Sequence, residues 1–577
     1  MNLARTLGLE PMIDRISDQL PASSTQAAEA FWDRLALLLL VAAAALALAT
    51  FTQYGVTWDE DGHHWYGVFA LDYYLSLFAD DRALHWLDFF NYGAAFDMLA
   101  AVLNRVSPFG VYETRHLLNA VFGLAGLAGC WKLGRAVGGP RVGFVALLFL
   151  LLTPNYYGQM FNNPKDIPFA VGAVWSTYYI VRVLPTLPRP PLRLLAKLGL
   201  AIGVALGVRV GGLLFLCYFG LVLTLWGGWR ALGSGRALVI ASFGWTCFWR
   251  VFLPTATVAF ALMLVFWPWA QQNPIENPLH ALAFFSHQIF PYRTLFDGHF
   301  VPAWDLPWTY LPTYIALALP ELLLVLLIAA PVLALIALLR SEWRPKPEMV
   351  LGLFLLGFTI IFPVTYAIAI KAVLFDGMRH FLFILPSIAV AAALVADHAL
   401  VHLNRLGYRQ PVYAALALYG IAHVAIMAML HPDEYVYYNA FIGGIDGAQR
   451  KFKLDYWANS YAEAVHGLET YLRTKYGADF QRHTFNVAVC GPPISAGYYF
   501  PRNFRLMKQP ESADFFIAFT KDDCDRSQPG RPVYRVERMG VLLSVVLDRH
   551  DVVAEGASPM HAVTNAVAGP SGPPQVY

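Results

Sequence analysis

Eleven apolar stretches, each close to the length of a bilayer crossing, dominate this 577-residue chain. A helix needs about 20 residues to cross the hydrocarbon core. Runs of that order lie at 35–53, 116–133, 142–158, 168–184, 194–208, 211–228, 252–270, 316–339, 350–370, 381–400 and 411–430. The chain is 57% hydrophobic and 14% charged, against about 25% charged in a soluble domain. So few polar groups cannot cover eleven apolar helices. The expected fold is an all-α polytopic membrane domain of about 11 transmembrane helices, residues 35–430. Only Arg209 and Gly211–Gly212 divide the runs at 194–208 and 211–228. Aromatic residues, 15% of the chain, gather near run ends, as interfacial belts require. A net charge of +2 gives no footing for nucleic acid.

Residues 1–34 are polar, and the run after them nearly spans a bilayer, so the pattern is a retained first helix rather than a cleaved signal. With residues 1–34 cytoplasmic, 18 Lys and Arg of the membrane part fall on the cytoplasmic side and 8 on the other. The positive-inside rule supports that orientation, and an odd number of spans puts the C-terminus outside. Residues 431–577 have no membrane-length apolar run. "TFNVAVC" and "ADFFIAF" read as strands, 461–477 has helical spacing, and 533–549 reads as a hairpin. A small extracytoplasmic α/β domain is expected over 431–557, with 558–577 a disordered tail. Cys490 and Cys524 fall in that domain, where a disulfide is permitted. Cys130, Cys217 and Cys247 lie in or beside spans and are expected to be inert thiols.

Charge directly after the first apolar run poses the functional question. "YGVTWDEDGHHWYG", residues 54–67, holds Asp59, Glu60 and Asp61 with His63 and His64, among four aromatic residues. It opens a long outer loop, 54–114, in which short interfacial helices are expected. Arg115 opens the second helix in "YETRHLLNAVFG". Lys165 and Asp166 stand in "FNNPKDIPFA" at the outer entry to the fourth, and Arg379 in "DGMRHFLFILP" at the outer entry to the tenth. Arg293 lies in the loop 271–315. Charges at membrane depth are costly and mark functional pathways. Cations and carboxylates at one depth suit a phosphate with its lipid tail in the bilayer, beside a carboxylate able to take a proton.

These segments resemble a family. An Asp-Glu pair just outside the first helix is similar to the mark of multi-spanning glycosyltransferases of the C-type fold, such as the protein O-mannosyltransferases and the bacterial aminoarabinose transferases that modify lipid A. "TRHLLNAVFG" is similar to their Arg-started second helix, and "NNPKDIPFA" to their second acidic site. "GHFVPAWDLPWTYLPTYIALALPE" (298–321) and "GMRHFLFILPS" resemble two later segments. The matches run from about 58 to 390 in the family's order. The chain lacks the MIR repeats of eukaryotic O-mannosyltransferases, and 431–465 resembles segments of a branch of bacterial-type lipid-carrier-dependent transferases, a resemblance that names no acceptor.

The resemblance implies a sugar donor on a polyprenyl monophosphate, and a lipid, glycan or protein acceptor, at a bacterial plasma (inner) membrane. It implies that Arg115, Lys165 and Arg379 bind the donor phosphate. Asp59 would be the general base of an inverting transfer, Glu60 would orient Asp59 or the acceptor, and Asp166 would hold polar groups of a substrate. His63, Arg293 and Tyr310 are further candidates for substrate contact. His63 and His64 could bind a metal, but an interface role is expected. Phosphate is already a good leaving group, so no metal or other cofactor is expected. Three other readings compete. A transporter of a lipid-linked or anionic substrate would want midplane charges and internal repeats. A catalytically dead scaffold would not need the intact acid pair. A ligase using a diphosphate donor would want more cations.

Overall fold

The computed structural model describes residues 22–234, 244–287, 292–339 and 346–551. The chain divides into two compact units at Trp457/Ala458. Helices of nine or more residues are numbered in chain order. Those of the first unit are α1 (Ala22–Thr50), α2 (Trp58–Leu75), α3 (Ala95–Asn104), α4 (Val111–Gly138), α5 (Pro140–Leu151), α6 (Pro154–Asn162), α7 (Asp166–Val183), α8 (Leu192–Leu206), α9 (Leu213–Ser234), α10 (Leu253–Phe266), α11 (Glu276–His287), α12 (Tyr310–Ala318), α13 (Glu321–Leu339), α14 (Pro347–Ala369), α15 (Leu385–Arg405) and α16 (Arg409–Leu430). A hairpin of β1 (Arg293–Phe296) and β2 (His299–Pro302) precedes α12.

All eleven apolar runs fall on helices. Among the described residues, eight helices are long and apolar enough to cross a membrane, or nine if α5 and α6 count as one. The expectation of eleven meets three local breaks. At α5–α6 the axis bends by 67°. Pro154 opens α6 without an amide hydrogen, so α5 cannot continue through it. Every residue of α6 is buried, which makes it a wedge inside the bundle. α8 has 15 residues and ends before Gly207. α13 contributes only a shorter apolar stretch, Glu321–Ile336.

Burial sorts the spans. The window on α7 is 72% buried and that on α16 only 6%, so α7 is central and α16 peripheral. Tight packing between α8 and α10 uses small residues. A Cβ on Gly199 or Gly203 of α8 would meet Val258 Cβ at 2.7 Å or Leu262 Cβ at 2.8 Å on α10. Without side chains at that spacing the two backbones approach closely, as in other small-residue helix contacts within membranes.

The loop 54–114 folds into α2 and α3, both of which the helical spacing predicted in part. The expected boundary at 430/431 moves. Residues 431–457 pack with the helical unit because their polar groups complete it. Asn439 Nδ2 donates to the carbonyls of Ala316 (2.6 Å) and Leu319 (2.9 Å) at the end of α12. Tyr54 donates to the Glu434 carboxylate at 3.1 Å. The expected polar lead segment, 1–34, overlaps α1, which begins at Ala22; residues 1–21 and the expected tail, 558–577, lie outside the described residues.

The second unit has α17 (Tyr461–Tyr476) and strands β3 (Phe485–Val489), β4 (Phe504–Met507), β5 (Phe515–Phe519), β6 (Arg531–Arg538) and β7 (Val541–Asp548). The sheet order is β4-β3-β5-β7-β6. β3 runs parallel to β4 and β5, and β7 antiparallel to β5 and β6. Tyr461, Val465 and Leu468 of α17 share a core with Val487, Phe515 and Ile517. Cys490 and Cys524, just after β3 and β5, are disulfide-bonded.

If 431–457 completes the helical unit, ending the chain after Trp457 should leave that unit monodisperse in detergent. Ending it after Leu430 should strip partners from the carbonyls of Ala316 and Leu319 and from several buried side chains. Each unsatisfied buried group costs about 1–3 kcal/mol, so the shorter chain should aggregate or melt earlier. Size-exclusion chromatography and thermal unfolding check this.

Candidate active site

Three breaks between helices, the start of α2 and the start of α4 lie at one end of the helical unit, and the charges sit on them. Thr57 is the N-cap of α2, and its backbone N–H donates to Glu60 at 2.8 Å. This is the T-x-x-E capping box, which fixes a helix start. Glu60 is buried, and His116 Nε2 lies 3.1 Å from its carboxylate. Glu60 therefore faces inward as a cap, and its effect on Asp59 is to fix the turn that carries it. Asp59, the second helical residue, points the other way.

Asp59 Oδ2 lies 2.8 Å from Lys165 Nζ and 2.9 Å from Arg379 Nη1. Lys165 immediately precedes α7; Arg379 opens a 3-10 turn that runs into α15. The carboxylate is 17% exposed while the Arg379 side chain is 2% exposed, so the anion faces the opening and the guanidinium lies behind it. Burial would raise the Asp59 pKa, but Lys165 and then Arg379 outweigh it and hold the carboxyl well below the usual range.

Asp166 stands next to this pair. Its carboxylate accepts from Asn163 Nδ2 at 3.0 Å and pairs with Arg209 Nη2 at 2.5 Å. Arg209 lies in the extended break between α8 and α9, where the sequence showed only a charge dividing two apolar runs. Lys165 and Arg209 both lie over the Tyr92 ring, each 5.7 Å from its centroid. Buried His380 is within Coulombic reach of Arg379, Arg209, Lys165 and Asp59, so three cations share one region.

Arg115 belongs elsewhere. Its Nη2 lies 2.5 Å from Asp97 Oδ1, and His63 Nδ1 lies 2.8 Å from the other Asp97 oxygen. The Arg115 and Asp97 side chains are 1% and 4% exposed. Burial would raise the Asp97 pKa, but His63 and Arg115 lower it. The expected convergence of Arg115, Lys165 and Arg379 thus splits in two: a carboxylate inside α3 takes Arg115, and Arg209 stands with the others. His63 supports Asp97 through Nδ1 and packs edge-on against Phe89. Among the other candidates, Tyr310 is buried and its hydroxyl accepts from Gly377 N–H at 3.2 Å, bracing the turn before Arg379. Arg293 is exposed on β1.

Arg209, Asp97 and Asp376 were not among the candidates, and Glu60 acts on Asp59 through the helix start that it caps. The capping box was legible as Thr57–Glu60. Asp97, an acid inside an apolar helical run, and Asp376, three residues before Arg379, were also visible signals. Among the described residues no group of three or more His, Cys, Asp or Glu could hold a metal ion.

Because the Asp59 pKa is depressed in the folded chain, its charge contributes stability above the unfolded value, about 3.9. That contribution is lost as pH falls through the lower folded value. Asp59→Asn strands two largely buried cations and should cost about 3 kcal/mol at neutral pH. The gap between variant and wild type should hold down to about pH 4 and close below it. Thermal unfolding in detergent between pH 3 and 7 reads this directly.

No family model and no curated protein matches the chain. Among solved structures it is similar to ArnT from Cupriavidus metallidurans bound to undecaprenyl phosphate, at 13% identity and a TM-score of 0.47, covering 88% of this chain and 97% of that one. It is also similar to the apo oligosaccharyltransferase of Archaeoglobus fulgidus, at 12% identity and a TM-score of 0.42, covering 83% of this chain and 65% of that one. AglB from the same organism, in complex with an inhibitory peptide and a dolichol-phosphate, aligns at 13% identity and a TM-score of 0.41, covering 80% and 63%.

Proposed function

We propose that the chain is an integral membrane glycosyltransferase that moves a sugar from a polyprenyl monophosphate to a hydroxyl or amine on a lipid, glycan or protein. One observation carries the reading. Lys165 and Arg379, from the ends of two different helices, converge on a single carboxylate oxygen of Asp59 at the mouth of the helical unit. Two cations that meet at one anionic oxygen can also meet at a phosphate oxygen. The motif resemblance points to the same chemistry. With residues 1–34 on the cytoplasmic side, this mouth, which follows the first span, is extracytoplasmic.

In this reading the donor phosphate takes Lys165 and Arg379, with Arg209 adding positive potential from its place on Asp166. These cations stabilise the charge that grows on the phosphate as the bond to the anomeric carbon breaks. Asp59 accepts the acceptor's proton as the new bond forms, and the anomeric configuration inverts. A carboxylate clamped by two cations is a weak base. As the phosphate draws those cations, burial pushes the Asp59 pKa up and the base strengthens. Asp166 holds Arg209, Glu60 fixes the start of α2, and the Arg115–Asp97–His63 cluster supports the α2–α3 region. The leaving phosphate calls for no metal.

Purified, reconstituted protein tests this with a polyprenyl-phosphate sugar. Asp59→Asn, measured per folded molecule, should lose turnover by about 10²–10⁴ while still binding donor. Near-normal turnover would remove Asp59 as base, and movement of the lipid across the bilayer without transfer would favour a transporter. Arg379→Lys keeps the charge but loses the planar fork and should weaken donor binding about tenfold. Arg115→Lys should change it by less than about threefold, its cost being a stability loss from the buried Asp97 pair.

A further inference from the structure

Arg379 is shared between two carboxylates. Its Nη1 lies 2.9 Å from Asp59, and its Nη2 lies 3.5 Å from Asp376 Oδ2. Asp376 precedes it in a turn whose residues Asp376 and Gly377 both have positive φ, 55° and 72°. Gly377 allows that turn without a side chain against Tyr314, which lies 3.3 Å from where a Cβ would be. The turn holds Asp376 beneath the guanidinium. Lys453 Nζ then lies 3.3 Å from the other oxygen of Asp376. The side chains of Lys453, Asp376 and Arg379 are 4%, 1% and 2% exposed. At such burial each charge acts strongly on the next.

The segment that supplies Lys453 lies beyond the motif matches of the membrane half, which end near residue 390. It is fixed to the helical unit at several points. Tyr438 donates to the Lys453 carbonyl at 2.9 Å, and Asn439 is held by the end of α12. Four residues after Lys453, the Trp457 ring lies 5.2 Å from the Arg379 guanidinium carbon, with Phe375 at 4.9 Å. These contacts form an aromatic and ionic socket around one arginine.

We infer that Lys453 is a positioning residue for the donor phosphate: by partly neutralising Asp376, it leaves the charge of Arg379 directed at the mouth. The distances agree, since Arg379 sits closer to the partly exposed Asp59 carboxylate than to the buried Asp376 one. Without the ammonium, more of the Asp376 charge would act on the guanidinium and draw it inward. The chain of charge then runs Lys453, Asp376, Arg379, and the site. Residues 431–457 thereby serve the site itself as well as the packing around it. The inference rests on the reading of Lys165 and Arg379 as phosphate ligands.

The signs of the expected effects separate this role from a merely structural one. A short-chain polyprenyl monophosphate is titrated against full-length protein in detergent. Lys453→Gln should weaken binding about tenfold, because one more buried anion acts on Arg379. Asp376→Asn should leave binding unchanged or tighten it by about threefold, because an anion competing for Arg379 is gone. Lys453→Arg should restore the wild-type value within about twofold. Combined with Arg379→Lys, the Lys453→Gln change should add less than its effect alone, the mark of a shared network. A structural role predicts that both neutral variants weaken binding in step with lost stability. Binding by the wild type with both variants moved in the same direction would overturn the role of Lys453 alone. A wild-type chain that binds no polyprenyl monophosphate would overturn the transferase reading on which it rests.

Discussion

The helical unit is organised around one problem, how to keep Asp59 ionised while mostly enclosed. An enclosed carboxylate tends to take up a proton, because burial disfavours its charge. Lys165 and Arg379 reverse that by meeting it at hydrogen-bond distance. Meeting requires that the start of α2, the turn before α7 and the 3-10 turn before α15 reach one point. The capping box of Thr57 and Glu60 sets the first, the Asn163–Asp166 turn the second, and the positive-φ turn at Asp376–Gly377 the third.

The broken spans follow from the same need. A continuous helix satisfies its own backbone and presents only side chains. The breaks at α5–α6 and α8–α9 instead bring chain ends into the protein interior. There Pro154 opens α6, whose last residue Asn162 faces the start of α2, its carbonyl accepting from Thr57 Oγ1 at 3.2 Å. The extended residue Arg209 reaches Asp166 from the other break. Irregular backbone is tolerated where protein rather than lipid surrounds it, and every residue of α6 is buried.

Charge pairing also decides which cations are available. Arg115 is fully enclosed with Asp97 and His63, so its charge is spent on holding α3 against α4. Lys165 and Arg379 face a carboxylate that is open to the mouth. Both kinds of cation sit at the ends of apolar helices, and they differ only in the exposure of their partners.

From the sequence alone came the membrane class, the helices, the polar stretch after the first run, and Asp59, Lys165, Asp166 and Arg379 as charges at helix ends, which the packing gathers. Apolar length and charges placed at run ends are local properties, and they are readable without coordinates. The strands at 485–489 and 515–519 and the helix at 461–476 were legible for the same reason. The number of uninterrupted spans was not, because a single Pro154 turns an apolar run into two helices. Nor were the pairings of Arg115 with Asp97 and of Arg209 with Asp166, or the link from Lys453 through Asp376 to Arg379. Those partners are 18, 43 and 77 residues apart or join across different helices, and only the packing of those helices decides which opposite charges come within 3.5 Å. The boundary at Trp457 belongs with them, since residues 431–457 look like the start of a soluble domain by composition and are claimed by the helical unit through hydrogen bonds to residues more than a hundred positions away.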